Sequence, residues 1–482
     1  MERTNSKNVY SGPDSMRNYF NPDFQPLLPL VELPGKLNPY RRDNVRIYAK
    51  MMTALPAQNV KALPALNMLM NAGPSARKAI VEPSSGSTVT SLAMVSRVLH
   101  QNDDVCALVS NKTEASRLRT LQFFGLKVLL YGGPSQPEIS DPRGAIAKAH
   151  QMAESNSNIW NPGQYENENN PAAHMRWTGP QLLEQLPQIN IFCMGMGSAG
   201  CITGTGRYLK SHKPATRVVG VCNKTGDSIP GPRPFSLMPS SQFPWRQVVD
   251  DVKEVSSVEA YRLSMSLSRE GLICGPSSGM ALKGLLEFLQ EAKDERRLDQ
   301  YAEAATGEIS CVFTCCDLPY QYLDGYFKRL GEDSFCPIIN RSLLSVDTGN
   351  YDPEWEIDNH KAVSMLFVEG VTTLLDLRSS QDFELAHLGV AVSVPLSGLN
   401  ATTKSPFDDN ELLERQWRDL QEMVSREGYF CNIGPLAGPA IMLCYNGEAA
   451  RLACSVMRER GIEAYSIKGG TSRMGSIQAY TT

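Results

Sequence analysis

Lys61 lies in a short apolar stretch, Val60-Lys61-Ala62-Leu63, and three later segments have compositions suited to binding anions. A lysine amine with few water neighbours is a good nucleophile, and with an aldehyde it forms a Schiff base. The three segments are Ser84-Ser85-Gly86-Ser87-Thr88, the glycine-rich run Gly195–Cys201, and Gly275-Pro276-Ser277-Ser278-Gly279. A glycine-rich turn that enters a helix binds phosphate, and a hydroxyl-rich loop binds a carboxylate. Together these segments predict pyridoxal phosphate as the cofactor.

The glycine-rich run has a second interpretation, because residues 195–200 also satisfy the GxGxxG pattern of dinucleotide-binding domains. That interpretation requires an acidic residue at the end of the next strand, about 20 residues on, to hold a ribose. The next strand candidate, Val218–Cys222, is followed by Asn223 and Lys224 instead. A nicotinamide or flavin site therefore stays as a disfavoured alternative.

Residues 275–279 also match the GxSxG turn of serine hydrolases, in which the central serine is the nucleophile. A hydrolase would need an acidic residue and then a histidine downstream in the same domain. The downstream histidines, His360 and His387, lie beyond a change in composition that marks a domain boundary. The pattern therefore favours Ser277 as a hydrogen-bonding residue over a nucleophile.

The elements that must position these segments follow an α/β pattern. Short β-branched runs alternate with segments of helical periodicity over the first two-thirds of the chain, as in a parallel sheet covered by helices. The predicted strands are Val45–Lys50, Ala79–Glu82, Val105–Val109, Val128–Tyr131, Ile189–Met194, Val218–Cys222 and Cys311–Thr314. The predicted helices include Ser87–His100, Glu114–Phe124, Gly204–Ser211, Ser257–Glu270 and Gly279–Glu291.

A break is predicted after Tyr326, since the chain from Lys328 to Asn359 is polar and lacks periodicity. A smaller α/β unit follows. Its predicted strands are Thr373–Leu377, Ala391–Val394, Ala440–Leu443 and Glu463–Ile467, and its helices are His360–Glu369, Asp409–Arg426 and Glu448–Arg460. The predicted domains are an N-terminal extension (1–26), a large domain (27–327), a linker (328–354) and a small domain (355–482).

Composition limits the partners and the location. With 482 residues the chain exceeds a single ordinary core, and its formal charge of -4 gives no electrostatic reason to expect nucleic acid or an anionic membrane. The first twenty residues resemble neither an export signal nor an organelle presequence, so we expect a cytoplasmic protein. The 12 cysteines lack the spacing of a disulfide framework or a zinc site, and no metal is expected.

Residues ~27–326 resemble the fold-type II pyridoxal-phosphate enzymes of the cysteine synthase and cystathionine β-synthase group. The opening Leu28-Pro29-Leu30-Val31-Glu32-Leu33 and the strand Val45–Lys50 are similar to that group, and Lys61 follows Lys50 at the spacing of the group's cofactor lysine. Trp177-Thr178-Gly179-Pro180 supports the same register. The resemblance implies a tryptophan-synthase-β-like domain built from two α/β subdomains, and a homodimer.

The resemblance also implies a role for individual positions. The positions that would contact the cofactor are Lys61, Ser87, Gly197, Ser198, Ala199, Gly200, Cys201 and Ser277. The positions that would hold the substrate carboxylate are Ser84, Ser85, Gly86, Thr88 and Gln164. Ser277 would pair with the pyridine nitrogen, and a neutral hydroxyl there makes the cofactor a weaker electron sink. That property suits β-elimination and β-replacement on a serine-, O-acetylserine- or cysteine-type amino acid, with Lys61 as the catalytic base.

Cys444 opens a loop, Cys444–Arg451, that follows an apolar strand and precedes a helix. A thiol placed where backbone N–H groups converge at a helix N-terminus has a depressed pKa and can carry a persulfide. A buried structural cysteine is the alternative. Residues ~355–482 resemble a single rhodanese domain through Leu374–Arg378, Phe383, His387 and this loop, and the resemblance implies that Cys444 is the catalytic residue of a sulfurtransferase.

The two resemblances share a theme, since both chemistries concern sulfur. An enzyme that acts at the β-carbon of an amino acid makes or breaks C–S bonds, and a tethered persulfide carrier would act as sulfur donor or acceptor at a raised local concentration. Two alternatives stay open. One is a β-substitution enzyme that makes a non-proteinogenic amino acid for a secondary pathway, and the other is a non-catalytic scaffold protein that binds the cofactor.

Overall fold

The computed structural model describes residues 7–84, 86–133, 141–367, 372–403, 405–424, 429–430, 434–436 and 438–474. The chain divides into two compact units, Met1–Phe335 and Cys336–Thr482. No helix within these described ranges is both long and apolar enough to cross a membrane.

The strands of the first unit form two sheets. They are β1 (Leu30–Glu32), β2 (Val45–Met51), β3 (Ala79–Glu82), β4 (Val105–Ser110), β5 (Lys127–Tyr131), β6 (Ile159–Trp160), β7 (Ile189–Gly195), β8 (Arg217–Asn223), β9 (Asp251–Val255) and β10 (Ile309–Cys315). One sheet has the order β1-β2-β10-β7-β8-β9, in which only the β1–β2 pair is antiparallel. The other has the order β5-β4-β3-β6 and is parallel throughout. The predicted α/β organisation is confirmed for this unit.

Helices connect the parallel strands of both sheets. They are α1 (Ser15–Phe20), α2 (Ala62–Met70), α3 (Ser87–His100), α4 (Ala115–Phe123), α5 (Ala145–Ser155), α6 (Asn169–Ala173), α7 (Gly179–Gln185), α8 (Gly200–His212), α9 (Ser257–Arg269), α10 (Pro276–Asp294) and α11 (Leu323–Leu330). Regular structure does not end at the break that was predicted after Tyr326. Helix α11 continues to Leu330, with Gly325 and Tyr326 buried and Arg329 and Leu330 half-buried.

The large sheet is buried on both faces, which explains its continuous apolar strands. Neighbouring residues of β10 point to opposite sides, as the pleat requires. Val312 packs with Phe192 in one apolar core, whereas Cys311 and Phe313 pack with Ile47 in the other. The carboxyl ends of the parallel strands lie at one edge of this sheet, and that edge carries the residues described below.

The second unit has its own parallel sheet, in the order β11-β17-β16-β12-β13. The strands of this sheet are β11 (Glu356–Ile357), β12 (Thr373–Asp376), β13 (Ala391–Ser393), β16 (Ala440–Leu443) and β17 (Ala464–Ile467). Strands β14 (Tyr429–Phe430) and β15 (Gly434–Pro435) form a separate antiparallel pair. Its helices are α12 (Asn359–Phe367), α13 (Ser380–Leu385), α14 (Asn410–Met423) and α15 (Glu448–Glu459). Leu375 and Met442 pack on one face and Leu374 and Ile441 on the other, so this unit also has an apolar core on each side of its sheet.

Candidate active site

Lys61 lies immediately before α2 and lines a cavity of about 430 Å³ in the first unit. Its backbone N–H donates to Asn59 Oδ1 at 2.9 Å, and the Ser91 hydroxyl donates to the same oxygen at 3.0 Å. The N–H of Val60 donates to the carbonyl of Cys316 at 2.7 Å, at the end of β10. These bonds fix the backbone of Lys61 to the sheet while its side chain stays half-buried at the cavity wall.

Lys50 and Lys36 are unsuited to the same role. Lys50 is fully buried, and its ammonium group donates to Leu28 O at 2.9 Å, Gln181 Oε1 at 2.9 Å and Gln185 Oε1 at 2.7 Å. Because an ammonium group has three N–H donors, these bonds occupy all of them. Lys36 is exposed and forms an ion pair with Glu270 at the surface. Lys61 is therefore the one of these three lysines whose amine faces the cavity.

The hydroxyl-rich segment forms the turn between β3 and α3. Ser84, Gly86, Ser87 and Thr88 line the cavity with Lys61, and Ser85 lies outside the described residues. The Thr88 hydroxyl donates to Gln164 Oε1 at 2.8 Å, so the two residues predicted to hold a carboxylate are adjacent. Gln164 lines the cavity as well.

Glu82, the last residue of β3, orients the Gln164 amide from behind. Gln164 Nε2 donates to Glu82 Oε1 at 2.8 Å. The Glu82 side chain is fully buried, and burial raises its pKa to about 7, against the opposing effect of hydrogen bonds from Gln164 and from the Gly163 and Gln164 backbone. Because the amide donates to Glu82 and accepts from Thr88, its orientation relative to the cavity is determined.

The glycine-rich segment connects β7 to α8, and Gly197 and Ser198 line the cavity. Ala199 has a left-handed backbone (φ 67°) and Gly200 begins the helix. Ala199, Gly200 and Cys201 are buried behind the cavity wall, so any contact they make with a ligand would come from the first N–H groups of the helix. A side chain at Gly197 would come within 2.6 Å of the Gly231 carbonyl, which explains the requirement for glycine there.

Asn170 links the carboxylate-binding side of the cavity to the glycine-rich turn. Its Nδ2 donates to the Gln164 carbonyl at 2.6 Å and lies 3.2 Å from the Ser198 hydroxyl, which accepts the N–H of Gly200 at 3.4 Å. Asn170 is 1% exposed. The Asn170 amide therefore bridges the two anion-binding segments.

Ser277, in the first turn of α10, lines the cavity beside Cys316 and Asp317 at the carboxyl end of β10. The Cys316 thiol lies 3.4 Å from the Thr314 hydroxyl, and burial raises its pKa to about 11. Burial also raises the pKa of Asp317, to about 6, although the Tyr322 hydroxyl donates to it at 2.5 Å and Ser87 at 3.4 Å. The sequence-based site prediction omitted Cys316 and Asp317. Their position directly after a buried strand of a parallel sheet was the available signal.

Cys444 in the second unit directly follows β16, at the carboxyl end of that strand. Its side chain is buried, and its sulfur accepts the N–H of Gly447 at 3.1 Å and that of Ala450 at 3.4 Å. The depressed pKa expected for this thiol is wrong in direction. Burial raises the pKa of Cys444, and the surrounding backbone N–H groups oppose the shift without reversing it.

The loop that begins at Cys444 is tied to two other segments of the second unit. The Tyr445 hydroxyl is hydrogen-bonded to Ser379 and Asp382, and the N–H of Thr471 donates to the Cys444 carbonyl at 2.9 Å. Helix α15 begins at Glu448, and Arg451 within it pairs with Glu356 and Glu448. These contacts connect the loop that carries the Cys444 thiol to other segments of the second unit.

The cavity of the first unit fits pyridoxal phosphate. A half-buried amine suits the aldehyde, the turn at the start of α8 suits the phosphate, and the Ser277 hydroxyl suits the ring nitrogen, all within one space of about 430 Å³. A hydroxyl and an amide remain at the β3–α3 turn for a carboxylate. The fold and this site define a pyridoxal-phosphate dependent enzyme.

The family model for pyridoxal-phosphate dependent enzymes matches residues 26–299. The match covers more than half of the chain, and the chain belongs to this family. It is 30% identical to cysteine synthase B of Pseudomonas aeruginosa over 277 residues, which cover 56% of this chain and 87% of the relative. It is also 30% identical to cysteine synthase B of Salmonella typhimurium over 317 residues, which cover 64% of this chain and 94% of the relative.

Solved structures agree with this assignment at the level of the fold. The O-acetylserine dependent cystathionine β-synthase from Helicobacter pylori matches with a TM-score of 0.50 and 25% identity, over 64% of this chain and 96% of that one. A hydrogen sulfide-producing enzyme from Fusobacterium nucleatum matches with a TM-score of 0.51 and 22% identity, over 62% of this chain and 96% of that one.

Proposed function

We propose that the first unit catalyses β-replacement or β-elimination on a serine-, O-acetylserine- or cysteine-type amino acid. One observation carries this proposal: Lys61, the Gln164–Thr88 pair and Ser277 line the same cavity. The similarity to cysteine synthases supports the reaction class, because those relatives make a C–S bond at the β-carbon of an amino acid.

The residues of this chain would divide the work as follows. Thr88, Gln164 and the backbone of Gly86 would hold the substrate carboxylate, and the Lys61 amine would take the proton from the α-carbon and return it after the nucleophile has added. Bound pyridoxal phosphate supplies an electron sink for the charge that develops at that carbon. The β-substituent leaves with the electron pair of its bond, and either a nucleophile takes its place or hydrolysis releases pyruvate and ammonia.

The Lys61 assignment is tested by borohydride reduction of the holoenzyme, followed by mass spectrometry of the modified peptide. We expect the cofactor on Lys61, loss of the visible absorbance in Lys61→Ala, and retention of both signals in the exposed control Lys36→Ala. Product assays with O-acetylserine plus sulfide, with serine and with cysteine then test the reaction. A cofactor bound to another lysine, or no turnover of any of the three substrates, would contradict the proposal.

We propose further that the second unit is a rhodanese-like sulfurtransferase that carries a persulfide on Cys444. The parallel sheet, the thiol at the carboxyl end of β16 and the N–H groups directed at its sulfur support this proposal. With thiosulfate, the Cys444 thiolate would attack the outer sulfur, and sulfite would leave with the electron pair of the S–S bond. The persulfide would then donate its outer sulfur to a nucleophilic acceptor.

Intact-mass measurement after thiosulfate treatment tests the carrier role. We expect one added sulfur atom that disappears on treatment with cyanide and that is absent in Cys444→Ser, whereas Cys454→Ser, which alters another buried cysteine of the same unit, retains it. Addition to Cys336 alone would contradict the proposal. A homodimer and a cytoplasmic location remain predictions.

A further inference from the structure

Asp317 lines the cavity together with Ser277, and its carboxyl group has no part in the proposed reaction. The residue is 7% exposed. Its backbone lies opposite Asn59 in an isolated antiparallel bridge, and the N–H of Gly275 donates to its carbonyl at 2.8 Å. Asp317 therefore lies between the segment that leads to Lys61 and the segment that leads to Ser277.

The two carboxyl oxygens of Asp317 have different surroundings. Three side chains donate to Oδ2, and they are the Tyr322 hydroxyl at 2.5 Å, the Gln321 amide at 3.2 Å and the Ser87 hydroxyl at 3.4 Å. Oδ1 is buried and accepts no hydrogen bond within the described part of the chain. Since a carboxylate accepts on both oxygens, Asp317 is anchored through Oδ2 and has Oδ1 available for a further donor.

The available oxygen is on the side of the cavity that carries Ser277. A methyl group built on Gly275 would come within 2.4 Å of Asp317 Oδ1. Gly275 immediately precedes α10, and Ser277 is in the first turn of that helix. The anchored oxygen instead contacts the β3–α3 turn through Ser87. Oδ2 therefore belongs to the carboxylate-binding side of the cavity, and Oδ1 belongs to the side on which the ring nitrogen of the cofactor is expected.

The surroundings of Asp317 favour a cationic partner for its free oxygen. Burial raises the pKa of Asp317 to about 6, and the hydrogen bond from Tyr322 and the charges of Arg117 and Lys61 oppose this shift without cancelling it. A cationic donor at Oδ1 would offset the cost of burying the carboxylate. Other titratable side chains nearby are uncharged at neutral pH because burial raises their pKa values, and they are Tyr261, Tyr322, Tyr326 and Cys316.

We propose that Asp317, together with Ser277, contacts the ring nitrogen of pyridoxal phosphate and holds that nitrogen in its protonated form. This inference rests on the proposed position of the ring nitrogen at Ser277. An ionised carboxylate favours the protonated form of a neighbouring base, because opposite charges stabilise each other. The carboxyl group and the ring nitrogen then hold one proton between them, which is taken up from solvent. A protonated nitrogen makes the ring a stronger electron sink than the Ser277 hydroxyl alone would allow.

Solid-state NMR of the holoenzyme, reconstituted with pyridoxal phosphate labelled with nitrogen-15 in the ring, reports the protonation state of that nitrogen. At neutral pH we expect the chemical shift of a protonated ring nitrogen in the wild type and in Asp324→Asn, which alters an exposed aspartate of α11. Asp317→Asn keeps the size of the side chain and removes its charge, so its cofactor should have the shift of an unprotonated nitrogen. An unprotonated nitrogen in the wild type, or the same shift in the wild type and Asp317→Asn, would overturn the proposal.

Cofactor affinity tests the same contact without turnover. The full-length apoprotein is titrated with pyridoxal phosphate and with 1-deazapyridoxal phosphate, in which a C–H group replaces the ring nitrogen. We expect the wild type and Asp324→Asn to prefer the natural cofactor about tenfold or more, as for one charge-assisted hydrogen bond, and Asp317→Asn to lose most of this preference. A structural role would weaken both affinities alike, and an undiminished preference in Asp317→Asn would contradict the contact.

Gly275→Ala provides a second variant, in which the carboxyl group is retained. The added methyl group must displace Asp317 Oδ1 from its position, so we expect the same loss of preference for the natural cofactor. If Gly275→Ala prefers the natural cofactor as strongly as the wild type does, Oδ1 does not contact the ring nitrogen.

The proposed reaction and this contact can fail separately. If no amino acid is turned over but the chemical shift and the affinity ratio depend on Asp317, the reaction is wrong and the contact is right. If O-acetylserine reacts but the shift and the ratio are indifferent to Asp317, the contact alone fails.

Discussion

Glu82 and Asp317 carry carboxyl groups whose pKa values are shifted toward neutral pH by burial. Burial raises the pKa of Glu82 to about 7 and that of Asp317 to about 6. Each is hydrogen-bonded to a residue that lines the cavity, Gln164 for Glu82 and Ser87 for Asp317. The protonation state of both groups therefore changes near the pH at which such an enzyme would work.

Glu82 should make stability depend on pH. Its pKa rises from 4.5 in the unfolded chain to about 7 in the folded protein, so the folded state binds the proton more tightly. The free energy of unfolding therefore falls as pH rises from about 4.5 to about 7 and changes little above that range. Residue 82 cannot titrate in Glu82→Gln. Relative to this variant, the free energy of unfolding of the wild type should fall by roughly 3 kcal/mol over this pH interval.

Urea unfolding of the wild type and Glu82→Gln between pH 4.5 and 8, followed by a probe in the first unit, checks this expectation. Glu154→Gln, which alters an exposed glutamate, is the matched control and should follow the wild type. If the free energies of unfolding of the wild type and Glu82→Gln differ by a constant amount across the pH range, Glu82 does not titrate there.

At the residue scale, the sequence was informative where a site residue belongs to a local motif. Lys61, the β3–α3 turn and the glycine-rich turn are recognisable because neighbouring residues share one task. Glu82, Asn170 and Arg117 are different, since each acquires its significance from a contact far away in the chain, such as that between Asn170 and Ser198. Single-residue polar contacts across the fold leave no periodic signal in the sequence.

At the scale of elements, complete burial did not decide how accurately bounds were predicted. Strand β10 is buried throughout, yet it begins two residues before the predicted range Cys311–Thr314 and ends one residue after it. The bounds of β3 and α3 are as predicted, and α8 and α10 each begin three or four residues earlier than predicted, with the glycine and serine residues of their first turns inside the helix. No strand was predicted for β9, whose residues Asp251–Val255 include three charged side chains and lie at the edge of the sheet. Edge strands are half-solvated and resemble loops in composition.

The packing of α6 against α8 should be sensitive to one added methyl group. A methyl group on Gly204 would come within 2.0 Å of the Pro171 carbonyl and 3.0 Å of His174 Cβ. Gly204→Ala must therefore displace α6, which carries Asn170. We expect a loss of roughly 1 to 3 kcal/mol in the free energy of unfolding, together with weaker cofactor binding.

Chemical denaturation and cofactor titration of Gly204→Ala measure these two effects. The control is Gly35→Ala, because a methyl group at Gly35 would meet no atom within 4 Å, and it should behave as the wild type. If Gly204→Ala has the stability and the cofactor affinity of the wild type, α6 and α8 can move apart without loss of free energy.

At the scale of the whole molecule, each of the two units has its own sheet and apolar cores. The segment that begins the second unit, from Cys336 to Asn340, is exposed, and so is Arg341 after it. The predicted linker, residues 328–354, spans this region. The first residues of the predicted linker belong to α11, which extends to Leu330.

Limited trypsin treatment of the native protein should cut after Arg341, close to the start of the second unit, before it cuts elsewhere in either unit. We expect two fragments with masses close to those of residues 1–341 and 342–482, and retention of the visible cofactor absorbance by the larger one, because the residues that line the cavity all precede position 330. Gel electrophoresis, mass spectrometry and an absorbance spectrum provide the measurement. Immediate loss of absorbance on cleavage would show that the cavity depends on the intact chain.

The hydrogen bonds of Lys50 bear on whether activity can be recovered in a variant that lacks Lys61. Lys50 is the nearest lysine that precedes Lys61 in the chain, yet its three donors are occupied by neutral oxygens inside the protein. It cannot serve as a substitute when Lys61 is removed. We therefore expect no return of activity from Lys50 in Lys61→Ala, and chemical rescue by added ethylamine would report on the geometry of position 61.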